Sequence, residues 1–264
     1  MEWLVRRHRR LAIVLLCTLL IANVPARVMT WVLPQQVVLS GLSGTLWSGQ
    51  AVRSWITVDQ KPVMLGRIQW RISPWRLVWS TPLQLSAEWG DQLLQTKLGV
   101  SPNGQWQLRD STVTFELDAL GAFLPLYLGG TATAEFDLIQ FSSKRVAEAR
   151  GRVTLQDTVW TATSGNILLG SYYLDIGRTT QVAQLPESDS FAASRTNADS
   201  IEGVVRTEDG ALILNGAIGL SSNSYDVDLT ATGPVARDEG FRRAVSILAT
   251  PTATGFDVLI SGQL

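Results

Sequence analysis

The sequence predicts a mainly β protein: an antiparallel sheet domain carried behind one N-terminal transmembrane helix. Three observations carry that expectation. Beyond residue 34 the apolar residues recur with a period of two. Turn signals built from Gly, Asn, Asp and Pro separate the alternating runs. The first 33 residues join an arginine cluster to an uncharged apolar run, the layout of a membrane anchor.

The anchor comes first in the chain. Residues 11–26 read LAIVLLCTLLIANVPA, sixteen positions without a charge. At about 1.5 Å per residue such a helix reaches about 24 Å, short of a hydrocarbon core of about 30 Å. Counting on through Arg27 and Trp31 to Leu33 gives 23 residues, about 35 Å of helix and enough to span with tilt. Arg27 would then snorkel outward and Trp31 would sit in the interfacial belt. Arg6, Arg7, Arg9 and Arg10 hold residues 1–10 in the cytoplasm as a basic tail. Residues 34–264 are therefore expected across the inner membrane, in the periplasm. A cleaved signal peptide is the competing reading, with Val24-Pro25-Ala26 as its cut. The anchor is preferred because the apolar pattern continues past Ala26.

Within residues 34–264 the strands declare themselves by alternation. Residues 66–73 place Ile68, Trp70 and Ile72 on one face and Arg67, Gln69 and Arg71 on the other. Residues 111–118 set Val113, Phe115 and Leu117 against Thr112, Thr114, Glu116 and Asp118. Residues 152–157, 172–176, 211–218 and 225–230 repeat the scheme, which belongs to antiparallel strands with one wet face. Helical spacing is confined to 119–127 and to 238–248, the latter with Asp238 as N-cap. Residues 186–200 read as a polar surface loop, and the Gly129-Gly130 pair as a seam between two β halves, 34–128 and 129–264.

Composition narrows the function. Of 264 residues 45% are hydrophobic and 17% charged, which excludes disorder, a coiled coil and a polytopic membrane protein. With five arginines and only Glu2 in the first 33 residues, the remainder keeps 17 basic and 22 acidic side chains. Such a body offers no basic face to nucleic acid. The single histidine, His8, and the single cysteine, Cys17, both lie in the N-terminal segment. Triads built on them, disulfides and Cys/His zinc sites are thus excluded from the exported part. Lys61, Lys97 and Lys144 stand in no Ser-x-x-Lys pattern. The carboxylate pairs Glu116/Asp118, Glu135/Asp137 and Asp226/Asp228 alternate with apolar neighbours and read as a solvated strand face. No enzyme, cofactor or metal is expected. Nine of the ten tryptophans fall in residues 1–106, and Trp70, Trp75 and Trp79 are read as following the core face rather than as a binding platform.

One motif stands out. Residues 39–51, LSGLSGTLWSGQA, follow the anchor and precede the tryptophan-rich strand of 65–90. Gly41, Gly44 and Gly49 admit turns or close backbone approach, Trp47 supplies a large apolar anchor, and Thr45 and Leu46 complete the string, all read as packing. Trp70, Pro74 and Trp75 form the strand ending W-x-I-x-P-W. This order resembles the type II secretion system protein N family, also called general secretion pathway protein N. The resemblance implies an accessory inner-membrane protein with a periplasmic β domain, a sandwich or a curved sheet like that of the AsmA group. It implies a role in export of folded proteins across the outer membrane, with partners among the other subunits of the inner-membrane platform or periplasm. It transfers no catalytic residues, and it leaves lipid binding or transfer, known of some AsmA-like proteins, as the alternative.

Overall fold

The computed structural model describes residues 2–58, 61–76, 81–122, 127–142, 145–162, 165–178, 200–221, 224–247 and 249–263. Trp79 and all but Ser200 of the predicted loop at 186–200 lie outside them. The chain divides into two compact units, Met1–Gly90 and Asp91–Leu264.

The first unit opens with helix α1, Glu2–Ala22. Asn23 ends it, its amide reaching the Leu19 and Leu20 carbonyls at 3.2 Å and its Nδ2 reaching Leu19 O at 2.8 Å. Pro25 follows in extended conformation, then a 3₁₀ turn at Ala26–Val28 and a single helical turn, α2, at Met29–Val32. The apolar stretch expected as one span over 11–33 is thus interrupted after Ala22. The physical reason is in the letters: Asn just past the last turn and Pro two residues later are stop signals. Among the described residues no helix is long and apolar enough to cross a membrane.

Four antiparallel strands complete this unit: β1 Val37–Gly44, β2 Ser48–Val58, β3 Lys61–Ile72 and β4 Leu83–Trp89. Register puts Leu42, Ala51, Ile68 and Ala87 side by side on one face. Ser43, Gln50, Gln69 and Ser86 line the other. Trp70 falls on the apolar face and is buried, as its alternation with Arg71 demands. Trp75 does not follow: it sits in a 3₁₀ turn, Pro74–Arg76, and is 88% exposed. The expectation that it continues the core face is corrected, because Pro74 ends the extended backbone on which period-two counting depends.

The second unit holds β5 Gln92–Val100, β6 Trp106–Glu116, β7 Leu128–Ser142, β8 Arg145–Ala162 and β9 Gly165–Arg178. It continues with β10 Ile201–Gly210, β11 Ile213–Leu220, β12 Ser224–Thr232, β13 Thr250–Pro251 and β14 Gly255–Gln263. Within the first unit the strands pair in the order β1-β2-β3-β4, and within the second they pair in chain order from β5 through β12, then β14 and β13. Each unit is an open antiparallel sheet and not a sandwich. Of the helical candidate at 119–127, residues 119–122 belong to a 3₁₀ segment, Leu117–Ala122, and residues 123–126 lie outside the described residues. The one at 238–248 is helix α3, Glu239–Val245, and Asp238 Oδ1 caps it by accepting from Phe241 N at 2.8 Å.

Helix α3 contributes to the core of the second unit. Phe241 packs edge-on against Trp160 (centroids 5.0 Å apart) and at 5.8 Å from Phe256. Leu169, Tyr172, Leu212, Val235 and Val245 close the cluster. The Tyr172 hydroxyl donates to Leu212 O at 2.9 Å, and burial pushes its pKa up to about 12.

Candidate functional site

The motif of residues 41–49 spans the end of β1, the turn of residues 45–47 and the start of β2, and the turn grips the end of α1. A helix leaves its last carbonyls without partners. Here Ile21 O accepts from the Trp47 indole Nε1 at 2.8 Å. Leu46 N donates to Val24 O at 2.8 Å, and Pro25 forms an isolated bridge with Thr45. Ala26, next in line, is buried.

The turn is itself braced. Thr45 N donates to Ser48 O at 2.9 Å, and Ser48 N donates to Thr45 Oγ1 at 3.2 Å. From the sheet below, the Trp70 indole donates to Leu46 O at 3.1 Å, while Ile72 N donates to Trp47 O at 2.6 Å. Two glycines make the approach possible. Gly44 has φ +91, and a Cβ on it would stand 2.5 Å from Ser48 O. A Cβ on Gly49 would meet the Trp70 ring at 2.5 Å and Ser43 O at 2.7 Å. Of the residues singled out by sequence, Gly44, Thr45, Leu46, Trp47, Gly49 and Trp70 come together. Gly41 lies upstream in β1 against Val52, and Pro74 and Trp75 stand in the turn after β3. Sequence reasoning missed the other half of the clasp, Ile21, Val24 and Pro25. The Asn23-x-Pro25 stop signal could have marked it.

A second feature spans the Asp91–Leu264 unit. Directly paired residues in an antiparallel sheet share a face. Leu94, Val113, Ala134, Val153, Leu174, Val205, Gly216, Leu229 and Val258 therefore form one row across nine strands, with no polar side chain in it. Two residues along, Phe136, Gly151, Ile176, Gly203, Ile218, Val227 and Ile260 form a parallel row. Most of the larger side chains in both rows are half-buried, neither sealed nor fully wet.

A family model for type II secretion system protein N matches residues 35–258. The chain belongs to the type II secretion system protein N family. The matched span takes in the β1–β2 turn, the whole of the first apolar row and all of the second but Ile260. No curated protein and no solved structure matches the chain.

In this protein N family member the opposite sheet face carries the charges. Arg152 stands between Glu135 of β7 and Asp175 of β9, and its Nε donates to Asp175 Oδ1 at 2.6 Å. That hydrogen bond, with the attraction of the same carboxylate, raises the already high Arg152 pKa. The guanidinium also lies 5.3 Å from the Tyr173 ring centre. Glu116, Glu135 and Asp137 are exposed on their strands, and Asp226 and Asp228 are half-buried; Asp118, expected beside Glu116 on a strand face, is exposed in the 3₁₀ segment because β6 ends at Glu116. At the clasp the reactive inventory is indole N–H, amide and carbonyl, groups that join backbone segments and do not titrate near neutrality.

Proposed function

We propose that this protein is an accessory subunit of the type II secretion system, held in the inner membrane by α1 with both β units in the periplasm. There it supports passage of folded proteins across the outer membrane, working with other subunits of the inner-membrane platform or periplasm. Family membership supports the secretion role. The observation that carries the anchor is the surface of α1: Leu11, Ile13, Val14, Leu15, Leu16, Leu19, Leu20 and Ile21 are each more than half exposed. Consecutive positions 13–16 point to every side of a helix, so no single packing face is left for a protein core. A helix apolar all round belongs in lipid. Its 21 residues measure about 31 Å, close to a hydrocarbon core, if the arginine stems of its first half reach the cytoplasmic headgroups.

The test is a deletion strain scored for folded exoprotein retained in the periplasm, with envelope permeability measured beside it. Retention behind an intact envelope is the expected result, restored by the full chain. Normal secretion overturns the reading. The paired apolar rows favour one second reading, a lipid-handling sheet. Normal secretion with an altered lipid envelope, and phospholipid carried through gentle purification, would select it.

A further inference from the structure

Five exposed side chains are tied by the chain and its hydrogen bonds to the region where α1 ends. Arg27 and Trp31 come five and nine residues after Ala22, and Trp31 is 85% exposed. Arg71, Trp75 and Arg76 are linked to that region through the hydrogen bonds of their neighbour Ile72. Trp47 joins Ile21 by its indole and Ile72 by its carbonyl. Arg71 adjoins Ile72, and Trp75 and Arg76 lie three and four residues beyond it, within about 14 Å even if the chain were fully extended. All three are exposed. The chemistry of this group is uniform: three guanidinium cations and two indoles that no core uses. Beyond α1 the unit holds six basic residues, three of them in this group, and two acidic ones, Asp59 and Glu88, and Glu88 stands opposite Arg67 in the β3–β4 register.

We propose that Arg27, Trp31, Arg71, Trp75 and Arg76 form a collar seated in the headgroup layer of an anionic phospholipid membrane. The proposal rests on the anchored reading of α1. Tryptophan partitions to the bilayer interface because its ring is apolar and its N–H polar. Arginine binds phosphate in a fork and gains from the negative potential of anionic lipid. An unclasped hairpin could drift from the membrane, but the Trp47 and Leu46 bonds to residues 21 and 24 tie β3 to the helix end. The turn after β3 is thereby held at the depth at which α1 leaves the hydrocarbon. In this arrangement the motif sets how the first unit lies on the membrane.

The experiment uses the full chain with Cys17→Ser and one new cysteine, at Leu16→Cys, Trp75→Cys or Asp209→Cys, labelled with a fluorophore. Each is placed in nanodiscs of phosphatidylcholine with about one third phosphatidylglycerol. Spin-labelled lipids then quench at headgroup depth or deep in the acyl chains. The label at 75 is expected to be quenched at least about twofold more by the headgroup probe than by the deep one. The label at 16 should show the reverse, and the label at 209 neither. Omitting phosphatidylglycerol, or adding Arg71→Gln with Arg76→Gln, should weaken quenching at 75. A label at 75 that stays unquenched while that at 16 is quenched deeply overturns the collar and leaves the anchor standing. A label at 16 that is also unquenched removes the anchored reading and the collar with it. Because Trp75 packs in no core, its replacement does not threaten folding.

Discussion

The two units are stabilised by different means. Asp91–Leu264 gathers large side chains, Trp160, Phe241 and Phe256 among them, between strands and a short helix. Met1–Gly90 buries mostly small residues, Ala26, Ala51 and Ala87, with Ile68 and Trp70 as its only large buried apolar side chains among those described. Eight of the ten tryptophans nevertheless lie in it. Two of them act through the indole N–H, to Ile21 O and Leu46 O. Charge divides the same way: the second unit has 12 basic and 20 acidic residues against 10 and 3 in the first. A unit that buries little apolar volume can still be specific if hydrogen bonds and glycine contacts fix its backbone.

The contrast sharpens into measurable differences. Phe241→Ala removes the ring central to the second unit's core and should cost about 3–5 kcal/mol in denaturant unfolding; a loss under about 1 kcal/mol would dissolve the distinction between the units. Gly49→Ala forces a methyl between the Trp70 ring and Ser43 O and should cost about 1–3 kcal/mol, although no apolar contact is lost.

Tyr172 supplies a pH signature of the second core. Its folded pKa of about 12 lies above the ordinary 10.0, so its stabilising effect is whole below pH 10. As pH rises from about 10 to 12 the unfolded phenol loses its proton first, and stability falls by roughly 2 kcal/mol. Tyr172→Phe should abolish that slope, read from unfolding at pH 8 and pH 11.

Trp47→Phe keeps the ring but loses the bond to Ile21 O, about 1 kcal/mol. Its sharper readout is protease cleavage between residues 23 and 36, which should rise while the second unit's unfolding stays put. Smallest of all is Lys97→Ala, which deletes an exposed 2.7 Å ion pair with Asp110. The expected loss is under about 1 kcal/mol and should shrink further in salt.

The strands were legible where backbone stayed regular. Alternation located β3, β6, β9, β11 and β12 because half-wet antiparallel strands write their two faces into the letters. It underestimated β8, whose register shifts between Leu155 and Thr158, with Asp157 at φ +50. A bulge breaks the period there although the strand continues. The Asp238 cap was legible because capping is local chemistry. The same counting failed at Trp75, where Pro74 turned the chain. Within the site, the glycines and Trp47 were visible as a motif, but its partner was not. Ile21 and Trp47 are 26 residues apart, and nothing in the spelling of a carbonyl announces who will bond it. The apolar rows were likewise hidden, since each strand shows only one or two of their members and the rows exist only once register is set.

The clasp at Ile21 also orders events in time. The helix is synthesised first, but the indole that completes its end arrives 26 residues later. At about 5–20 residues per second the gap is on the order of seconds. For that interval the helix end relies on Asn23 and water, and its exit angle is unset. Only when residues 45–47 have followed it and closed their turn does the direction of the chain leaving the helix become fixed, so the helix is made before its exit angle is set.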